Sequence, residues 1–127
     1  MLTILIAEDE PNVVELVRVT LEDQRVRVVA AADGNTALEL AARLQPSLVL
    51  LDVGLPDISG LEVCRRLRRD PATADVQVVM LTAAAQQEDV AQGLAAGATL
   101  YLTKPFSPVR LLSLVEQLRP DVAWLSP

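Results

Sequence analysis

The sequence predicts a three-layer α/β domain built on a doubly wound, five-stranded parallel sheet with five flanking helices. Three observations carry this. Five short apolar runs recur along the 127 residues, mostly without polar alternation, as strands covered on both faces require. Segments with apolar residues at helical spacing lie between them. Gly, Pro, Asp and Asn punctuate the junctions. Strict alternation of strand and helix makes parallel units with right-handed crossovers, and 51% apolar residues suffice for such a core.

Leu2 to Ala7 is the first run, and it ends in Glu8-Asp9-Glu10. Pro11 suits the first turn of a helix whose inner stripe is Val13, Val14, Val17 and Leu21. Val26 to Ala31 forms the second strand, closed by Asp33-Gly34. Asn35 is expected to cap the next helix, with Leu38, Ala41 and Leu44 inward and Pro46 as its stop. Leu48 to Asp52 is the central strand; Gly54 and Pro56 make the loop after it. Ser59-Gly60-Leu61-Glu62 is a capping-box pattern, so a helix starts there, with Leu61, Cys64 and Leu67 inward and Asp70-Pro71 ending it. Its basic run, Arg65, Arg66, Arg68 and Arg69, reads as a solvated face. Val76 to Leu81 is the fourth strand, ending at Thr82, and Ala83 to Ala85 lead into an Ala-rich helix from about Gln86, with Gly97 as its C-terminal cap. Thr99 to Leu102 is the fifth strand. Ser107-Pro108 opens a last helix, with Val109, Leu111, Leu112, Leu114, Val115 and Leu118 giving a wide apolar face. The expected strand order is flavodoxin-like, 2-1-3-4-5, which sets the first, third, fourth and fifth strands side by side.

Composition narrows the function classes. A net charge of −6 argues against this domain gripping nucleic acid directly. No histidine is present, which excludes Ser-His and Cys-His catalysis, histidine metal sites and a phosphohistidine on the chain itself. A single cysteine, Cys64, forms no intramolecular disulfide and reads as core. With no secretory signal and no run long enough for a membrane span, the expected setting is cytoplasmic. Arginine outnumbers lysine ten to one, and the lone lysine is Lys104.

In a parallel sheet the C-terminal strand ends share one edge, where such folds bind ligands. That edge collects Glu8 and Asp9 from the first strand, Asp52 from the third, Thr82 from the fourth and, just after the fifth, Lys104. Three crowded carboxylates call for a cation, and a few carboxylates with room for a phosphate oxygen suit Mg2+. An aspartate can act as nucleophile toward phosphorus. Phosphoryl transfer depends on alignment and charge neutralisation, which Mg2+ and one lysine supply without histidine. Thr82 is placed to hydrogen-bond a phosphate oxygen.

From Leu2 to about Arg119 the chain resembles a response-regulator receiver domain of two-component signalling. The resemblance rests on A-E-D-E-P, L-D-V-G-L-P-D-I-S-G, M-L-T-A and A-G-A-x-x-Y-L-T-K-P-F, in order and at family spacing. It implies a receiver domain over residues 1–119, with 120–127 as a tail or the start of a linker. It further implies that Asp52 accepts a phosphoryl group from a histidine kinase or histidine phosphotransfer protein. The chain would catalyse its own phosphorylation and slow dephosphorylation, outside the conventional enzyme classes. Glu8, Asp9, Asp52 and the Gly54 carbonyl would hold Mg2+, and Thr82 and Lys104 the phosphate. Tyr101 would be the switch aromatic, and Pro105 would follow a cis bond. The face of the fourth helix, fifth strand and fifth helix would meet an output domain, a target or a second copy.

Departures from the family pattern are Glu8 where aspartate is commoner, Gly54 where a larger side chain is frequent, and the less polar Thr99-Leu100. Gly54 and Ala84, two past Asp52 and Thr82, would flank the water approaching phosphorus, so a short-lived phosphate is expected. Two other readings compete. A receiver-like interaction domain working without phosphorylation is opposed by the complete set of Asp52, Thr82, Lys104 and the acidic pair. An aspartyl-phosphate hydrolase of the haloacid-dehalogenase type requires D-x-D, and Gly54 stands at its second position.

Overall fold

Strands and helices alternate as β1 (Leu2–Ala7), α1 (Pro11–Leu21), β2 (Val26–Ala31), α2 (Gly34–Leu44), β3 (Leu48–Asp52), α3 (Gly60–Arg69), β4 (Gln77–Thr82), α4 (Gln87–Ala95), β5 (Leu100–Thr103) and α5 (Pro108–Leu118). The computed structural model describes residues 1–83, 87–122 and 124, and of residues 87–89 the backbone alone. Ala84, Ala85, Gln86 and the tail positions 123 and 125–127, all named above, lie outside the described residues. The sheet is parallel throughout, in the order β2-β1-β3-β4-β5. The expected fold is therefore the observed one. The fourth and fifth strands each run one residue later than the apolar pattern suggests.

Successive strand residues face opposite sides of the sheet, and both sides are covered. Ile4 and Ile6 face a layer with Val17 and Leu21 of α1 and Leu111, Leu114 and Val115 of α5. Leu5 and Ala7 face Ala37 and Ala41 of α2 and Val63, Cys64 and Leu67 of α3. Every residue of β3 is buried, which explains its unbroken apolar run. Val109 departs from the expected apolar face of α5 and is 68% exposed.

Local sequence sets most of the helix ends. Ser59 Oγ accepts from the Glu62 N–H at 3.2 Å, and Ser107 Oγ accepts from the Arg110 N–H at 3.1 Å. Gly97 adopts φ +104° beyond the end of α4, a conformation that favours glycine. Asn35 is not the cap of α2. Asp33 is, with its carboxylate taking the Thr36 N–H at 2.7 Å, and the chain is already helical from Gly34. Gln45 ends α2 in the left-handed region, at φ 47°, a common way for a helix to stop, and Pro46 follows it.

One side chain departs from expectation at a distance from these caps. Arg68 does not belong to a solvated face. Its Nε donates to the Gly97 carbonyl at 2.9 Å and its Nη1 to the carbonyls of Ala74 and Val76, joining α3 to the segments entering β4 and β5. Arg65 and Arg66 do lie outside, paired with Glu62. Trp124 is buried against the α1/α5 layer, and its Nε1–H donates to the Arg119 carbonyl at 3.0 Å.

Candidate functional site

Strand register brings the acidic ends together. Ala7 pairs with Leu51, so Glu8 and Asp52 leave adjacent strands at one level; Asp52 pairs in turn with Leu81, and Thr82 with Thr103. Glu8, Asp52 and Thr82 are buried, whereas Asp9 is exposed beside them. One carboxylate oxygen from each of Glu8, Asp9 and Asp52 lies within 4.8 Å of the other two. Among the described residues this is the group of three acids able to share a metal ion.

Lys104 enters from the far side. Its backbone N–H donates to the Thr82 carbonyl at 2.7 Å, extending the strand ladder, and the Lys104–Pro105 bond is cis. The ammonium contacts the Glu8 carboxylate and lies 3.2 Å from Asp52 Oδ1. Burial pushes the Glu8 carboxyl above its ordinary range, and the Asp52 charge adds to this; the Lys104 ammonium and the Glu10 N–H only partly oppose them. For Lys104 itself burial disfavours the charge, but the two acids outweigh it and hold the ammonium above its usual value.

The donor set suits a hard divalent cation. It consists of three carboxylate oxygens at the open edge of the sheet. Glu8 Oε1 is fully buried and receives no well-aligned hydrogen bond, although the Lys104 ammonium touches it. Such an oxygen retains a lone pair for a metal or for a water bound to one.

Gly54 is exposed two residues beyond Asp52, and a Cβ there would meet nothing within 4 Å. Thr82 and Tyr101 line one small hollow with Met80, Val90, Gly93 and Leu94, and Tyr101 is 40% exposed. A wider groove opens beside Lys104, between Val13 and Leu16 of α1 and Ala83, Pro105 and Phe106. The register thus gathers Glu8, Asp9, Asp52 and Lys104 into one cluster, with Thr82 at its edge. Tyr101 stands apart on β5.

One participant escaped the sequence analysis. Asp57, in the loop after β3, accepts the Gly34 N–H at 2.7 Å on one carboxylate oxygen and the Asn35 N–H at 2.9 Å on the other. These donors, together with the Ile58 N–H, lower its pKa to about 2. Its only local signal is the Pro-Asp turn, which does not point to a helix N-terminus 23 residues away.

Residues 4–116 match the protein family described as the response regulator receiver domain. Over 115 residues the chain is 47% identical to the DNA-binding dual master transcriptional regulator RpaA of Synechocystis, covering 91% of this chain and 48% of that protein. It thus spans about half the length of that relative. Among solved structures, the chemotaxis response regulator CheY4 of Vibrio cholerae is 31% identical with a TM-score of 0.87, covering 93% of this chain and 98% of the other. The receiver domain of the sensor histidine kinase PA1611 of Pseudomonas aeruginosa, solved with a magnesium ion coordinated in its active-site cleft, is 32% identical with a TM-score of 0.80, covering 91% and 95%.

Proposed function

Since the chain belongs to the response regulator receiver domains, we propose that Asp52 is its phospho-acceptor and that the domain is a phosphorylation-driven switch. The donor is a histidine kinase or histidine phosphotransfer protein. The observation that carries this reading is the cluster of Glu8, Asp9 and Lys104 around a nearly buried Asp52. Three acids there without a task would be a liability, since the single Lys104 offsets only part of their charge and crowded like charges oppose folding.

In the proposed reaction an Asp52 carboxylate oxygen attacks phosphorus. A P–O bond forms as the P–N bond of the donor phosphohistidine breaks, and the electron pair returns to the imidazole nitrogen. Glu8, Asp9, Asp52 and the Gly54 carbonyl are the residues that would hold Mg2+. A bound Mg2+ supplies positive charge that offsets the phosphoryl oxygens. Lys104, already 3.2 Å from Asp52 Oδ1, is the cation on the opposite side and takes a phosphoryl oxygen once Asp52 carries the acyl phosphate. Thr82 donates its hydroxyl to another. In slow autodephosphorylation water attacks phosphorus, the same P–O bond breaks, and the carboxylate is restored with release of inorganic phosphate. The open space about Gly54 leaves that approach unshielded on one side.

The apolar groove formed by Val13, Leu16 and Phe106 beside Lys104 is where a donor protein would settle. Movement of Thr82 toward the phosphate empties the hollow behind it, and Tyr101 turns inward to fill the space. That turn alters the face of α4, β5 and α5, which exposes Leu94, Tyr101 and Val109 as a contact for an output domain, a target or a second copy. Among the described residues no helix is long and apolar enough to cross a membrane, and we place the switch in the cytoplasm.

Incubation with a small acyl-phosphate donor and Mg2+ should add one phosphate to the wild-type chain. EDTA or Asp52→Asn should prevent it. Stable phosphate mapped to a serine or threonine would overturn the assignment, as would undiminished labelling of Asp52→Asn.

A further inference from the structure

The loop that follows Asp52, residues 53–59, carries Gly54 and so governs where the Gly54 carbonyl lies. It is anchored at both ends by backbone. The Val53 N–H donates to the Leu81 carbonyl at 3.0 Å, and the Gly60 N–H donates back to the Val53 carbonyl at 2.9 Å. Gly60 lies so close to the strand end that a Cβ would stand 2.2 Å from the Asp52 carbonyl oxygen, so only glycine closes the loop there. Between these anchors Ser59 caps the following helix locally, and Asp57 ties the loop to a distant element, its two carboxylate oxygens holding the N–H groups of Gly34 and Asn35.

Those two N–H groups belong to the first turn of α2, where no intrahelical acceptor exists. The third, of Thr36, is taken by Asp33. The first turn of α2 is therefore divided between a local cap and a residue from the loop beside the acidic cluster. The tie is tight: a Cβ on Gly34 would fall 2.5 Å from Ile58 Cγ1, the neighbour of Asp57. An oriented carboxylate on two N–H donors at a helix N-terminus is a strong, directional attachment.

We propose that Asp57 is a positioning residue for the phospho-acceptor site, latching the tip of the 53–59 loop to the N-terminus of α2 so that the Gly54 carbonyl is held ready for the metal. The inference rests on the reading of Asp52 as phospho-acceptor and of Gly54 as a metal ligand. Asp57 touches neither metal nor phosphate. It acts by narrowing the backbone states of the loop before the ion arrives, as outer residues that orient ligands do elsewhere.

Two aspartates bind the same helix turn, and only one reaches it from the loop. This provides the control. Mg2+ is titrated calorimetrically into the 127-residue wild type and into Asp57→Ala, Asp57→Asn and Asp33→Ala, with amide hydrogen exchange of residues 53–60 measured on the metal-free proteins. Asp57→Ala should weaken Mg2+ binding about tenfold and speed exchange in the loop. Asp57→Asn, which keeps one acceptor oxygen, should fall between it and wild type. Asp33→Ala should lower the urea midpoint through its lost cap while leaving Mg2+ affinity as in wild type. The latch is overturned if Asp57→Ala binds Mg2+ like wild type, or if both alanine variants weaken it equally. Should Asp57→Ala not fold, Asp57→Asn decides by the same readings. A wild type that binds no Mg2+ at all overturns the phospho-acceptor reading along with the latch.

Discussion

Two partly buried cations stand at opposite edges of the same sheet, and they are held by different chemistry. At the edge where β4 and β5 begin, Arg68 donates to three neutral carbonyls, those of Ala74, Val76 and Gly97. At the edge where they end, Lys104 faces two acids, Glu8 and Asp52. A guanidinium is a rigid planar fork that fits several fixed acceptors at once, whereas an ammonium is a point charge whose three donors re-aim freely. The arginine is a joint between elements that stay put. The lysine sits where an acceptor would change from carboxylate to phosphoryl oxygen. In a chain with ten arginines, a single lysine at the second place follows from that difference.

The sharpest way to break the comparison is to remove the joint. Arg68→Met leaves three carbonyls without their donor and should lower stability by about 2–4 kcal/mol, with Arg68→Lys recovering only part because one ammonium cannot span the fork. Urea melts of both variants measure this. A change below about 1 kcal/mol for Arg68→Met would mean that water replaces the fork and that no joint exists.

Lys104→Arg tests the other edge and should separate stability from response. Charge is kept, so the stability read from urea melts should fall by only about 1 kcal/mol. The planar group should nonetheless fail to serve both the resting acids and the phosphoryl group, and the phosphodonor-induced shift of the Tyr101 ring signals in NMR should be lost. A wild-type shift in this variant would give Lys104 another role.

Asp52→Asn is expected to have the smallest effect. Bare repulsion among three acids would suggest about 1–3 kcal/mol of relief on deleting one charge. The structure lowers that figure, because Lys104 already faces Asp52 and its attraction is lost together with the repulsion. In EDTA the variant should gain about 1 kcal/mol or less, and in saturating Mg2+ the gain should shrink or reverse, since wild type then binds the ion better. A wild-type midpoint that Mg2+ leaves unchanged, or a difference between the two proteins that Mg2+ does not shift, would show that the acids do not act as one cluster.

The cluster was legible in advance for a specific reason. Parallel strands place their C-terminal ends on one edge, so Glu8, Asp9, Asp52, Thr82 and Lys104 are gathered by topology although they are far apart in the chain. The cap of α2 was misread by two residues because Asp33, Gly34 and Asn35 are all acceptable around a helix start, and propensity does not choose among them. Choosing depended on Asp57, which takes the N–H groups of Gly34 and Asn35 and leaves Thr36 for Asp33.

What the amino-acid sequence determined by itself was periodic or local. The five apolar runs, the helical stripes, the serine caps at Ser59 and Ser107 and the left-handed Gly97 each follow from residues a few positions apart. Tertiary structure alone decided the partners of side chains that reach across the fold. Arg68 finds the Gly97 carbonyl 29 positions on, Asp57 finds Gly34 23 positions back, and Trp124 returns to the α1/α5 layer. A carbonyl or an N–H is present at nearly every residue, so sequence names the donor and not which acceptor it meets. That choice is made by the packing of α2 and α3 against one sheet, which brings distant backbone groups within hydrogen-bond reach.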